Sequence, residues 1–225
     1  MSLHIRYVAH STFEIWEDGG PFVVIDPFYT GNPRANRQPP EKADFILLTH
    51  DHADHVGDMP ELVKKGARLI TQPETAARYH KQANLPSDRL VGMNIGGTFQ
   101  LGEGVQVTMI PALHTSETGA PAGYRIRWQG TTLMHLGDTG YFSDLAFWAE
   151  GGVDLAMVPI GDHYTMGPLQ AAKAAALLRP KKVITMHYAT FTVLITDPTP
   201  FVEEVEKDAP QAEVAVLSPG DEITL

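Results

Sequence analysis

Phe45-Ile46-Leu47-Leu48-Thr49-His50-Asp51-His52-Ala53-Asp54-His55 joins a fully apolar run to three histidines and Asp54 within six residues. The apolar four suit a strand covered on both faces. The histidines do not suit a core, because each buried imidazole or charge there would need its own partner. Nor does a solvated charged loop have reason to choose His so often. A strand end running into a helix start splays these side chains in two directions. His50 and His52 then serve one metal, and Asp54 and His55 a second close by. Imidazole and carboxylate donors suit zinc, manganese or iron without any thiolate.

The rest of the chain agrees with an all-nitrogen-and-oxygen site. Its 225 residues include ten His and no Cys. The missing Cys removes disulfide scaffolds, thiolate zinc sites, Cys nucleophiles and Cys-ligated iron–sulfur clusters together. Lys+Arg number 17 and Asp+Glu 27, so the formal charge is 17 − 27 = −10. That balance disfavours a broad nucleic-acid or anionic-membrane surface. The opening Met1-Ser2-Leu3-His4-Ile5-Arg6 has no basic region followed by an apolar one, so a signal peptide is not expected and a cytoplasmic location is. No apolar run approaches the roughly 20 residues that span a bilayer.

Working outward, β-branched and aromatic runs at 5–8, 12–16 and 22–25 read as strands, with Asp18-Gly19-Gly20-Pro21 turning between the last two. Residues 29–41 hold Pro33, Pro39 and Pro40 and read as a surface flap. Helices are expected at 60–65 and 74–83 with a short buried strand at 69–71 between them, an order that suggests a parallel region. Strands return at 98–101, 105–110, 124–128 and 131–136, with Gly102-Glu103-Gly104 and Gln129-Gly130 where hairpins need turns. A helix at 144–149 and a buried strand at 155–158 follow. Residues 168–178 form the clearest helix, opened by Pro168 and stopped at Arg179-Pro180. A strand at 183–186, a helix at 201–207 and strands at 214–217 and 222–225 complete the chain. No linker divides it, so one domain over residues 1–225 is expected, made of two similar halves. The element count fits an α/β class, a four-layer αββα sandwich of two mixed β-sheets.

The HxHxDH pattern of His50, His52, Asp54 and His55 after an apolar strand resembles the signature of the metallo-β-lactamase superfamily, whose fold is that same sandwich. The resemblance implies three further ligands at strand ends. His114 in Pro111-Ala112-Leu113-His114-Thr115, Asp138 in His135-Leu136-Gly137-Asp138 and His187 after 183–186 match in order. His50, His52 and His114 would hold one divalent ion, Asp54, His55 and His187 a second, and Asp138 would bridge. Zinc is expected, with manganese as the alternative. Ala9-His10-Ser11, Ile25-Asp26-Pro27-Phe28, residues 159–168 and Lys181–Tyr188 are similar to a bacterial and archaeal family of small metal-dependent hydrolases related to ascorbate-6-phosphate lactonases. The implied activity is water activation at a dinuclear site to cleave an ester, lactone or phosphodiester of a small substrate. Two alternatives remain: a nuclease for short nucleic acid, and a non-enzymatic metal-binding protein with the fold retained.

Asp54 is the candidate proton acceptor and His163 the candidate acid for the leaving group. His10 and Arg34, with Arg37, are candidates for contacting an anionic substrate. Asp26 is either a carboxylate that orients a ligand His or a turn cap. His4, His80 and His135 read as structural. Trp16, Trp128 and Trp148 suit either the core or a homo-oligomer interface. No membrane partner is expected.

Overall fold

The structure is a computed structural model that describes residues 2–225. Contacts group it into two compact units: the residues up to Gly97 with Thr115–Ala120 and Ser218–Leu225, and Thr98–His114 with Pro121–Leu217.

In the first unit, β1 (His4–Ala9), β2 (Thr12–Trp16), β3 (Val23–Ile25), β4 (Phe45–Leu47), β5 (Arg68–Thr71) and β6 (Leu90–Gly92) join the last strand of the chain, β14 (Glu222–Thr224), in the order β14-β1-β2-β3-β4-β5-β6. Pairing is antiparallel from β14 to β3 and parallel from β3 to β6. Three helices belong to this unit: α1 (Ala53–Val56), α2 (Met59–Lys64) and α3 (Pro73–Gln82). Met59, Leu62 and Val63 of α2 pack on Val8, Val24, Ile46 and Leu69 from the strands and on Leu48 just after β4. The apolar run expected to be covered on both faces is so: Phe45, Ile46, Leu47 and Leu48 are all buried. The 29–41 stretch has no regular structure, but it is tied down. Tyr29 and Thr30 donate their N–H groups to the Asp58 carboxylate at 3.1 and 2.9 Å, and the buried Glu14 accepts from the Tyr29 hydroxyl at 2.9 Å.

The second unit repeats this plan. β7 (Thr98–Gly102), β8 (Val105–Pro111), β9 (Ala122–Trp128) and β10 (Thr131–His135) form an antiparallel meander, and β10, β11 (Leu155–Pro159), β12 (Lys182–Met186) and β13 (Glu213–Ala215) run parallel. Its helices are α4 (Leu145–Trp148), α5 (Pro168–Leu178) and α6 (Thr199–Asp208). Ala171, Ala172, Ala174 and Ala175 give α5 a thin face that packs with Met134, Ala156, Val158 and Val183, and Phe201 and Val205 of α6 close the same cluster. Two mixed seven-stranded sheets with helices packed on them are the α/β class the sequence led to.

Three details differ from the sequence reading. β6 was not foreseen, because Leu90-Val91-Gly92 is too short to show a period and is selected by pairing with β5. The strand expected at 214–217 sits at Glu213–Ala215, where Lys182, Val183 and Ile184 set its register. The segment 115–120 and the last strand pack with the first unit although long stretches of second-unit chain adjoin them. Among the described residues, no helix is long and apolar enough to cross a membrane.

Candidate metal centre

The site residues leave their strands through unusual backbone. His10 follows β1, Asp26 follows β3 and His187 follows β12, and all three have left-handed φ values of 58°, 45° and 56°. A non-glycine residue in this region is disfavoured by its Cβ, and such positions cluster at functional sites. Each turns the chain sharply at a strand end, β12 with parallel neighbours, β3 with one parallel neighbour and β1 with antiparallel neighbours only.

In the first unit β4 delivers Thr49 and His50, and α1 begins at once, so His52 and Asp54 lie half-buried while His50 and His55 are buried. Asp26 organises this group. Its carboxylate accepts from the Thr49 N–H at 2.8 Å, the Thr49 hydroxyl at 2.7 Å and His55 Nδ1 at 2.7 Å. Because the Thr49 hydroxyl proton goes to Asp26, Thr49 Oγ1 receives the Nδ1 proton of His50 at 3.0 Å. Both rings are thereby set as the tautomer with the Nε2 lone pair available, the arrangement a metal ligand requires. The two rings lie 4.1 Å apart at their centroids. His50 Nε2 also faces His52 Nδ1 at 3.0 Å. Two imidazole nitrogens that close need a proton or a cation between them, so this donor set fits a divalent ion.

His10 is fully buried and sits against the same group, with Nε2 3.2 Å from Asp54 Oδ2. His10, Asp54 and His55 each offer a ligand atom, and these atoms lie within 4.8 Å of one another. Of the Asp26 alternatives, the orienting carboxylate is what the distances describe. Gly57, after α1, has a φ of 39°, and a Cβ there would come within 2.3 Å of the Pro27 carbonyl oxygen. Only glycine lets α1 pack this closely on the Asp26 turn.

The second unit brings together the other three expected ligands. Asp138 Oδ2 lies 2.9 Å from His187 Nε2 and 3.7 Å from His114 Nε2. Asp138 and His187 are buried, and His114 is partly exposed. Leu113 N–H donates to the Thr139 hydroxyl at 2.9 Å and Gly140 N–H to the Leu113 carbonyl at 2.9 Å, which ties the turn carrying His114 to the one carrying Asp138. A Cβ on Gly161 would come 2.0 Å from the His187 carbonyl oxygen, so glycine is required beside the left-handed His187.

His163 is exposed in the loop before α5, with φ 46° and its ring 4.5 Å from that of Tyr164. Arg34 is exposed in the 29–41 loop, its N–H donating to Asn32 Oδ1 at 3.0 Å. Arg37 is engaged by the buried Glu14 at 3.3 Å. His4 pairs with Glu222 and stacks on Trp16, His80 Nδ1 bonds the Leu85 carbonyl, and the buried His135 accepts from Gly137 N–H. Trp128 is core, and Trp16 and Trp148 are half-buried.

Sequence reasoning passed over Thr49, and over Asp51 as anything beyond a spacer. Asp51 is buried, which alone would raise its pKa, but hydrogen bonds from Ser116, Thr118 and the backbone of 117–118 hold it at about 2. The signal was there in two forms: a carboxylate beyond those needed as ligands, and the polar run Thr115-Ser116-Glu117-Thr118 directly after His114.

Residues 22–188 match the family described as beta-lactamase superfamily domain. A UPF0173 metal-dependent hydrolase of Thermococcus kodakarensis is 40% identical over 230 residues, covering 98% of this chain and 99% of its own. The chain belongs to the metal-dependent hydrolases of the beta-lactamase superfamily. A second such hydrolase, from Nitratidesulfovibrio vulgaris, is 42% identical over 233 residues and 96% covered. Among solved structures, the metallo hydrolase Igni18 of Ignicoccus hospitalis matches with a TM-score of 0.89 and 34% identity, over 100% of this chain and 99% of that one. The metallo-beta-lactamase fold protein YhfI of Bacillus subtilis shares the fold at a TM-score of 0.78 and 14% identity, over all of both chains. The hydrolase therefore has the metallo-β-lactamase fold and a metal-dependent activity.

Proposed function

We propose that this metal-dependent hydrolase holds two divalent ions, zinc in the first instance, and cleaves an ester, lactone or phosphodiester bond of a small anionic substrate in the cytoplasm. His50, His52 and His114 would hold one ion and Asp54, His55 and His187 the other, with Asp138 as the ligand common to both. The observation that carries the reading is the tautomer control in the first unit. Asp26 and Thr49 take the Nδ1 protons of His55 and His50, which leaves two Nε2 lone pairs on rings 4.1 Å apart.

When bound, a pair of divalent cations would supply Lewis-acid polarisation of the scissile group and would acidify the attacking water. Asp54 would accept the proton of that water, and the buried His10, 3.2 Å from it, orients the Asp54 carboxylate toward the substrate. Asp138 is held between two imidazoles, a position in which one carboxylate oxygen can serve two neighbours. His163 on its exposed loop donates the proton the leaving group takes, and Arg34 attracts the anionic part of the substrate. The charge of −10 favours a small substrate over a long nucleic acid.

The test is metal content per chain together with turnover of bis-p-nitrophenyl phosphate, p-nitrophenyl acetate and a panel of small lactones. Two ions per chain with turnover on one of these is expected. Two ions with no turnover on any of them would sink the proposed bond classes.

A further inference from the structure

Asp51 has no ligand role in the proposed centre, yet its side chain is wholly buried, and in the sequence it stands between His50 and His52. Its Oδ1 accepts from the Ser116 hydroxyl at 2.6 Å, the Glu117 N–H at 2.8 Å and the Thr118 N–H at 3.2 Å. Its Oδ2 accepts from Arg78 Nη1 at 2.8 Å and from the Thr118 hydroxyl. The Asp51 N–H points back to Ser116 Oγ at 3.4 Å. The gripped segment rests on α3: Thr75 donates its hydroxyl to the Thr118 carbonyl at 2.8 Å, Arg78 Nη2 reaches Glu117 at 2.5 Å, and Gly119, with φ 69°, has no room for a Cβ beside Gln72.

We propose that Asp51 is a positioning residue that clamps the segment 115–120, entered directly from His114, to the loop presenting His50 and His52, and thereby sets the affinity of the metal those three imidazoles hold. The inference rests on the ligand set proposed above. A buried carboxylate is stable only when donors surround it. Here every donor but Arg78 comes from one short segment, and the carboxylate stands one residue from each of two ligands. Ser116 lies two residues beyond the third. Fold stability alone does not call for a charge at that spot, since a buried ion pair is commonly no better than apolar packing. Groups behind the ligands, by contrast, typically change metal affinity about 10- to 100-fold.

The experiment is Co2+ titration of metal-stripped protein, followed by visible absorption, with far-UV circular dichroism to check folding. Asp51→Ala removes the clamp outright. Ser116→Ala with Thr118→Val keeps the carboxylate, Arg78 and the backbone bonds, so it tests the clamp if Asp51→Ala does not fold. Either is expected to weaken one of two Co2+ transitions about tenfold or more and alter its spectrum, leaving the other transition unchanged. Thr118→Ser, which keeps the hydroxyl, restores the parent affinity, and Asp44→Asn, which disturbs a carboxylate bonded to Phe22 N–H elsewhere in the unit, changes neither transition. Folded variants that bind both Co2+ ions as the parent does would overturn the clamp alone. A parent protein that binds no Co2+ would overturn the clamp and the metal centre together.

Discussion

His10, Asp26 and His187 each adopt a left-handed backbone at about 1–2 kcal/mol apiece, and each sits where a side chain must leave its strand in a new direction. The cost is tolerated because the surroundings hold these residues: Asp26 by three hydrogen bonds, His187 by the glycine-lined wall at Gly161. At this scale two outcomes are expected. Asp138→Ala is expected to abolish turnover while circular dichroism stays that of the parent, because the carboxylate sits in the turn after β10 rather than within a strand; retained activity removes the proposed bridging role. His163→Ala lowers turnover by about a hundredfold with metal content unchanged, the usual scale of a general acid. An unchanged rate would make His163 structural. Donor types were legible at this scale, because imidazole and carboxylate chemistry belongs to the side chain wherever it lies. The grip on Asp51 was not, since its partners lie 27 to 67 residues away in the chain.

At the scale of elements, the approach of α1 to the Asp26 turn decides how His55 meets its carboxylate. Gly57→Ala puts a Cβ within 2.3 Å of the Pro27 carbonyl oxygen at a φ of 39°. Either the turn or α1 must move, and we expect a loss of about 2 kcal/mol in urea unfolding accompanied by weaker metal binding. A variant as stable as the parent would show that the turn yields freely. The longer elements were readable from periodicity and stops: α5 runs Pro168–Leu178 as its Pro168 start and Arg179-Pro180 stop imply, and the Gly-marked hairpins at 102–104 and 129–130 join antiparallel neighbours. β6 was not readable, because three residues carry no period and their strand character comes from pairing with β5.

For the whole molecule, the formal charge of −10 is one that bound divalent cations would partly offset. Binding to the folded chain alone must then stabilise it. Metal at 100 times its dissociation constant adds about 2.7 kcal/mol, so chelation is expected to lower Tm by about 5–10 °C for a chain of this size, as read by differential scanning calorimetry. An unchanged Tm after verified metal removal would count against ligands shared among the strand ends.

The class of fold and the donor chemistry follow from local sequence. Alternating apolar runs, turn residues and an HxHxDH segment without Cys act locally, and they mean the same thing in any tertiary setting. Which carboxylate orients His55, what Asp51 grips and that Glu222–Thr224 pairs with β1 across more than 200 residues are settled by the folded chain. Those outcomes depend on closing long loops between segments whose affinity for one another leaves no local pattern, so they exist only once the chain is folded.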